Sequence, residues 1–203
     1  MSKNIQLVAW IAFIALVGGV LYFGVFGNNN DNQQTADRGE TVAQQVEILK
    51  YSDYQCPACK QYIPLQNQLK RDFGDQLTIE YRHFPLDGFQ YSRLAAYVVE
   101  AAARQGHKEE MHDMIFAGQE VWSQGNAEQI FRDYAEQIGL DMEQFEQDLQ
   151  DEEIHQLVER QRNEGQRRLV QGTPTFFING QRVRQNPQSY DQFRSLVEMH
   201  MYR

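Results

Sequence analysis

Cys56 and Cys59 are the only cysteines in the 203-residue sequence, and Pro57 and Ala58 separate them. Two sulfurs at that spacing on the first turn of a helix can close a disulfide and reopen it by thiolate exchange. The flanking pattern supplies such a turn. Val46-Glu47-Ile48-Leu49-Lys50-Tyr51-Ser52 has the alternating character of a strand, and Ala58, Tyr62, Ile63, Leu65, Leu69 and Phe73 recur near one face of a helix that closes at Gly74. Cys56 is therefore expected at a helix N-terminus, where unpaired backbone N–H groups and the helix dipole favour a thiolate. The pattern reads as a redox site.

Other uses of the pair fit less well. A structural zinc ion needs about four ligands. No second cysteine pair exists, and His83, His107, His112, His155 and His200 are scattered without ligand spacing, so no metal is expected. Haem attachment wants histidine directly after the second cysteine, where Lys60 stands. A purely structural disulfide across two residues would close too small a loop to constrain the unfolded chain much. No cofactor is called for. The formal charge of −9 argues against a nucleic-acid partner, which requires clustered positive charge. Arg160, Arg162, Arg167 and Arg168 are interleaved with Glu152, Glu153, Glu159 and Glu164, as on a solvated helix face. A hydrophobic content of 41% with 12% aromatics suffices for a core.

Ile5 to Phe26 carries Gln6 as its only strongly polar side chain and is long enough to span a bilayer, which takes about 20 apolar residues. A secretory signal peptide has a shorter apolar region of about 7–15 residues. Val25-Phe26-Gly27 is a passable cleavage site, and an uncleaved anchor is the expectation. No cysteine follows the span to carry a lipid. Lys3 and the free amine before it, against Asp31, Asp37, Arg38 and Glu40 after it, put residues 1–4 in the cytoplasm and everything after Phe26 outside. Residues 27–45, polar and rich in Asn and Gln, read as a flexible tether with a reach on the order of 25 Å. The folded part is expected over 46–203.

Within it, Leu77 to His83 reads as a second strand, and Pro64 is expected to kink the first helix. Residues 91–169 are helical in character. Their stripes, Leu94, Ala95, Val98, Val99 and Ala102, then Met111, Met114, Ile115 and Phe116, belong to a core. Asn126 to Gln129 and Asp141 to Gln144 look like capping boxes, with Gly139 as a stop between them. Asn179-Gly180 between Thr175-Phe176-Phe177-Ile178 and Gln181-Arg182-Val183-Arg184 signals a hairpin, and Ser189 caps a last helix. The class is α/β with a helical insertion at about 91–169.

Ser52-Asp53-Tyr54-Gln55-Cys56-Pro57-Ala58-Cys59, Tyr81-Arg82-His83-Phe84-Pro85-Leu86, Arg104-Gln105-Gly106, Gly139-Leu140-Asp141 and Gly172-Thr173-Pro174-Thr175-Phe176-Phe177-Ile178-Asn179-Gly180 together resemble the DsbA-like thiol–disulfide oxidoreductases, in the membrane-tethered branch of the thioredoxin superfamily. The resemblance runs from about Val46 to the C-terminus. It implies a thioredoxin-like fold with a helical insertion and a cis Thr173–Pro174 peptide facing the cysteines. Backbone next to that proline would pair with an extended substrate chain. Cys56 is expected to be the exposed sulfur and Cys59 the buried one, with Pro57 and Ala58 completing the active-site loop. The family usually carries a buried acid six positions before the first cysteine, where this chain has Lys50. A nearby ammonium lowers a thiolate's pKa and favours oxidation, unless Lys50 pairs with an acid and points elsewhere. The expected activity is a dithiol oxidase acting on exported, cysteine-containing or unfolded proteins and reset by a membrane redox partner. A tethered reductase and a non-catalytic chaperone or assembly module are the alternatives.

Overall fold

A computed structural model describes residues 43–202. Strand β1 (Val46–Ser52) lies inside a four-stranded sheet ordered β2-β1-β3-β4, where β2 is Leu77–His83, β3 Thr175–Ile178 and β4 Gln181–Arg182. It runs parallel to β2, with Val46 opposite Leu77 and Ser52 opposite His83, and antiparallel to β3, with Ile48 opposite Ile178. This central place explains a departure from simple alternation. Every β1 residue except Glu47 is buried, because both faces of the strand are covered. Val46 and Ile48 join Phe176 and Ile178 against α2 (Ile63–Phe73) and α9 (Tyr190–Met201), through Leu69, Phe193, Val197 and Met201. Leu49 and Tyr51 join Phe84, Val170 and Phe177 on the other face.

Between β2 and β3 the chain runs through α3 (Ser92–Arg104), α4 (Lys108–Ala117), α5 (Gln119–Trp122), α6 (Ala127–Gln137), α7 (Met142–Leu149) and α8 (Glu152–Arg167). Ala95, Val98, Val99, Ala102, Met111, Ile115, Phe131, Phe145 and Val158 form its core, which extends to Tyr54 and both cysteines. The small residues of α3 let neighbouring helices approach closely. Gly165 does the same for α8, since a Cβ there would lie 2.7 Å from the Phe84 ring and 2.9 Å from that of Tyr51.

Several local expectations are corrected. The first helix is broken rather than kinked: α1 (Pro57–Gln61) stops at Tyr62, and Pro64 opens α2. Proline fits the first turn, where its missing N–H is not needed. Asn126 precedes α6 in the left-handed region and caps nothing with its side chain, whereas Asp141 accepts a bond from Gln144 N. The hairpin turn has φ of 47° at Asn179 and 76° at Gly180, as a tight turn between twisted strands demands. Its second strand ends at Arg182 instead of Arg184. The arginines of α8 and its end are partly engaged: Arg162 bonds the Pro85 carbonyl and Asp87, and the Arg168 guanidinium sits 3.9 Å from the centre of the Phe177 ring. The span expected at Ile5–Phe26 and residues 27–42 of the tether lie outside the described residues. Among the described residues no helix is long and apolar enough to cross a membrane.

Candidate redox active site

The site is built at the end of β1, where the chain turns through Asp53, Tyr54 and Gln55 into α1. The buried Asp53 carboxylate fixes this turn by accepting from Gln55 N at 2.7 Å, Leu86 N at 2.8 Å and Ser92 Oγ at 2.6 Å. Burial pushes its pKa up while these donors pull it down. Gln55 Oε1 accepts from Tyr91 N at 2.8 Å, and the Tyr54 hydroxyl pairs with His112 Nδ1 at 2.8 Å. The turn is thereby tied to the loop after β2 and to helices α3 and α4.

Cys56 is the N-cap of α1, with φ −76° and ψ 117°, and Pro57 follows at the first helical position. Both cysteines are free thiols. Their surroundings drive them apart. The Cys59 side chain hydrogen-bonded to it holds the Cys56 thiol down at about 6, helped by Thr173 and by the backbone N–H groups of Cys59 and Ala58 and opposed by burial. Burial, and then Cys56 itself, pushes Cys59 well above the usual thiol range. Cys56 is less open than expected, at 6% exposure against 0% for Cys59. The covering segment includes the loop before β3, whose Thr173–Pro174 peptide is cis and whose Thr173 carbonyl accepts from Cys56 Sγ at 3.5 Å.

Lys50 is fully buried beneath the pair. Its Nζ donates to the Cys59 carbonyl at 3.2 Å and to Gln66 Oε1 at 2.9 Å, so its partners are neutral. The ammonium also lies 5.5 Å from the Tyr81 ring centre and 5.4 Å from that of Phe116, within cation–π range. Burial lowers its pKa from 10.5 to about 8, while the charges of Cys59 and Cys56 raise it. Next to this group, burial and then Lys50 hold His112 down at about 3, which keeps the imidazole neutral.

The structure thus brings Lys50, Cys56, Cys59 and Thr173 around one turn, with Pro57 and Ala58 on its outer side. It adds residues that the sequence pattern did not single out. Gln66 reaches Lys50 from α2, His112 reaches Tyr54 from α4, and Gln119 on α5 donates to the Tyr54 and Cys56 carbonyls. The last pair spans 63 positions of chain, and no local spacing signals it. Beside α1 a groove of about 770 Å³ is lined by Pro57, Ile63, Pro64, Phe116 and Ala117, with Lys60 and Glu120 paired at 3.0 Å.

A family model described as Thioredoxin matches residues 31–199. Curated relatives include the Na(+)/H(+) antiporter NhaA 3 of Salinispora tropica, 36% identical over 138 residues, which are 68% of this chain and 20% of that protein. The Na(+)/H(+) antiporter NhaA 1 of Mycobacterium sp. (strain KMS) is 38% identical over 160 residues, 75% of this chain and 24% of that protein. The chain therefore spans about a fifth to a quarter of the length of these relatives. Among solved structures, a thioredoxin-like oxidoreductase from Silicibacter pomeroyi superposes with a TM-score of 0.65 at 26% identity, covering 77% of this chain and 87% of that one. BdbD from Bacillus subtilis gives a TM-score of 0.69 at 22% identity, covering 77% and 88%. The thiol-disulfide exchange protein α-DsbA2 from Wolbachia pipientis gives 0.64 at 23% identity, covering 77% and 82%. The chain belongs to the thioredoxin family and shares its fold with these oxidoreductase and DsbA-type structures.

Proposed function

We propose that the protein is a dithiol oxidase that introduces disulfides into exported proteins, held to a membrane by residues 5–26 through a tether at 27–45, with its folded part (46–203) on the extracytoplasmic side. In the oxidised enzyme a substrate thiolate attacks Cys56 Sγ. The Cys56–Cys59 bond breaks, and Cys59 leaves with the electron pair and takes up a proton. A second substrate thiolate then attacks the substrate sulfur of the mixed disulfide and expels Cys56 as a thiolate. The substrate has lost two electrons and the enzyme has gained them, to be withdrawn by a membrane redox partner. Thr173 and Pro174 present the edge along which an extended substrate chain lies.

The observation that carries this direction is the buried ammonium of Lys50, bonded to neutral partners and set under the sulfur pair. It favours the state in which Cys56 is a thiolate, already held at about 6, over the uncharged disulfide. A stabilised reduced form makes a stronger oxidant. The test is the reduction potential of the pair, measured on the full chain equilibrated in glutathione buffers. A value around −120 mV supports the oxidase, and one around −270 mV, near that of thioredoxin, would make the protein a reductase.

A further inference from the structure

Gln119 is the side chain through which the helical insertion reaches the backbone of the redox turn. It is 3% exposed, and its Nε2 donates to the Tyr54 carbonyl at 2.6 Å and to the Cys56 carbonyl at 3.1 Å. A carboxamide nitrogen has two hydrogens, so both are spent on the carbonyls of the residues either side of Gln55. Burying an amide is costly unless its bonds are made, and here they are made to a turn far away in the chain. The same corner is reinforced from both sides. Phe116 packs on Tyr54 with ring centres 4.8 Å apart, and Lys60 of α1 donates to the Ala117 carbonyl at 3.3 Å.

Cys56 sits where this matters. Backbone N–H groups of Ala58 and Cys59 lower its pKa only while the N-cap torsions keep Sγ turned toward them. A rotation of the Tyr54–Cys56 peptides would swing the sulfur off those donors. The charged and titratable groups facing it are Cys59 on α1 and Lys50 on β1, while the loop before β3 contributes the neutral Thr173 carbonyl. The Lys60–Glu120 pair lies at the rim of the adjoining groove. Resting on the assignment of Cys56 as the reacting sulfur, we propose that Gln119 is a positioning residue by which the insertion holds the Tyr54–Cys56 turn and keeps the α1 amides aimed at Cys56 Sγ. The insertion then tunes the thiol chemistry as well as enclosing it.

Gln119→Met keeps the length of the side chain and removes its donors. In the reduced full chain, the ultraviolet absorbance of the thiolate should show Cys56 titrating higher by roughly half to one pH unit, the size of one lost hydrogen bond. Alkylation of Cys56 at mildly acidic pH should slow severalfold. Gln129→Met, on the exposed side of α6, should change neither. A Gln119→Met protein that melts lower but titrates unchanged would show a structural role alone and overturn the proposal. Should that variant not fold, the side-chain amide resonances of Gln119 in the wild type decide: they should shift as Cys56 ionises, and resonances that stay flat overturn it. A wild-type Cys56 that titrates as an ordinary thiol removes the assignment of the reacting sulfur, and the proposal with it. A low wild-type value with an unmoved Gln119→Met overturns the proposal alone.

Discussion

Along the face of β1 that meets α2, Val46 and Ile48 lie in an apolar core with Leu69, Phe176, Phe193, Val197 and Met201, whereas Lys50, two residues further along the same face, is buried with a charge. Both ends are equally dry. At the first, removal of apolar surface from water stabilises the fold, by roughly 25 cal/mol for each Å². At the second, burial works against the charged form of Lys50, and the bonds to Gln66 and to the Cys59 carbonyl recover part of that loss. Neighbouring buried atoms of this end, Gln66 Nε2, His112 Nε2 and Thr173 Oγ1, make no hydrogen bond within the described residues. The contrast separates a region built for stability from one that gives stability up beside the candidate sulfur pair.

The largest effect that would test the contrast belongs to the apolar end. Phe193→Ala should cost about 3–5 kcal/mol in denaturant unfolding, as a buried aromatic truncation does, and leave the reduction potential of Cys56–Cys59 where it was. A shift in potential would mean that the two ends are not separable. Lys50→Met should do the reverse. It is expected to stabilise the fold at neutral pH by about 2 kcal/mol, because an apolar side chain of similar length has no charge to desolvate. It should also make the pair a weaker oxidant by about 20 mV, the equivalent of losing about 1 kcal/mol of attraction to the thiolate.

The pH dependence has a definite sign. The folded pKa of Lys50, about 8, lies below the ordinary 10.5, so the unfolded chain holds this proton more tightly. Wild-type stability should rise relative to Lys50→Met as pH increases from 8 to 10.5, and parallel curves would show that Lys50 is not perturbed. The smallest change is expected from Gln66→Leu. It leaves Lys50 the Cys59 carbonyl and should lower stability by about 1 kcal/mol, with the Lys50 pKa moving further down. An unchanged Lys50 titration, read by NMR, would show that the Gln66 bond contributes nothing.

Legibility followed the range of the interaction. Cys56-Pro57-Ala58-Cys59 at the end of a strand, the Asn179-Gly180 turn, the Asp141 cap and the apolar stripes of α3 and α4 could all be read locally, because each depends on residues a few positions apart. The break at Tyr62 was readable only as a disturbance around Pro64, since where a helix divides depends on what its faces pack against. The left-handed Asn126 escaped the capping pattern for the same reason: side-chain identity permits a cap, and the arriving chain direction decides whether it forms.

By itself, then, the sequence determined the element order and marked the sulfur pair as the candidate site, both of which are written in short spacings. The tertiary structure alone decided what surrounds those sulfurs. It brought Gln119 and His112 of the insertion to the turn at Tyr54–Cys56, set the Thr173 carbonyl against Cys56, and gave Lys50 a glutamine in place of an acid. The physical reason is that ionisation in a buried site answers to every charge and dipole within a few ångströms, and those neighbours come from chain segments that only folding brings together.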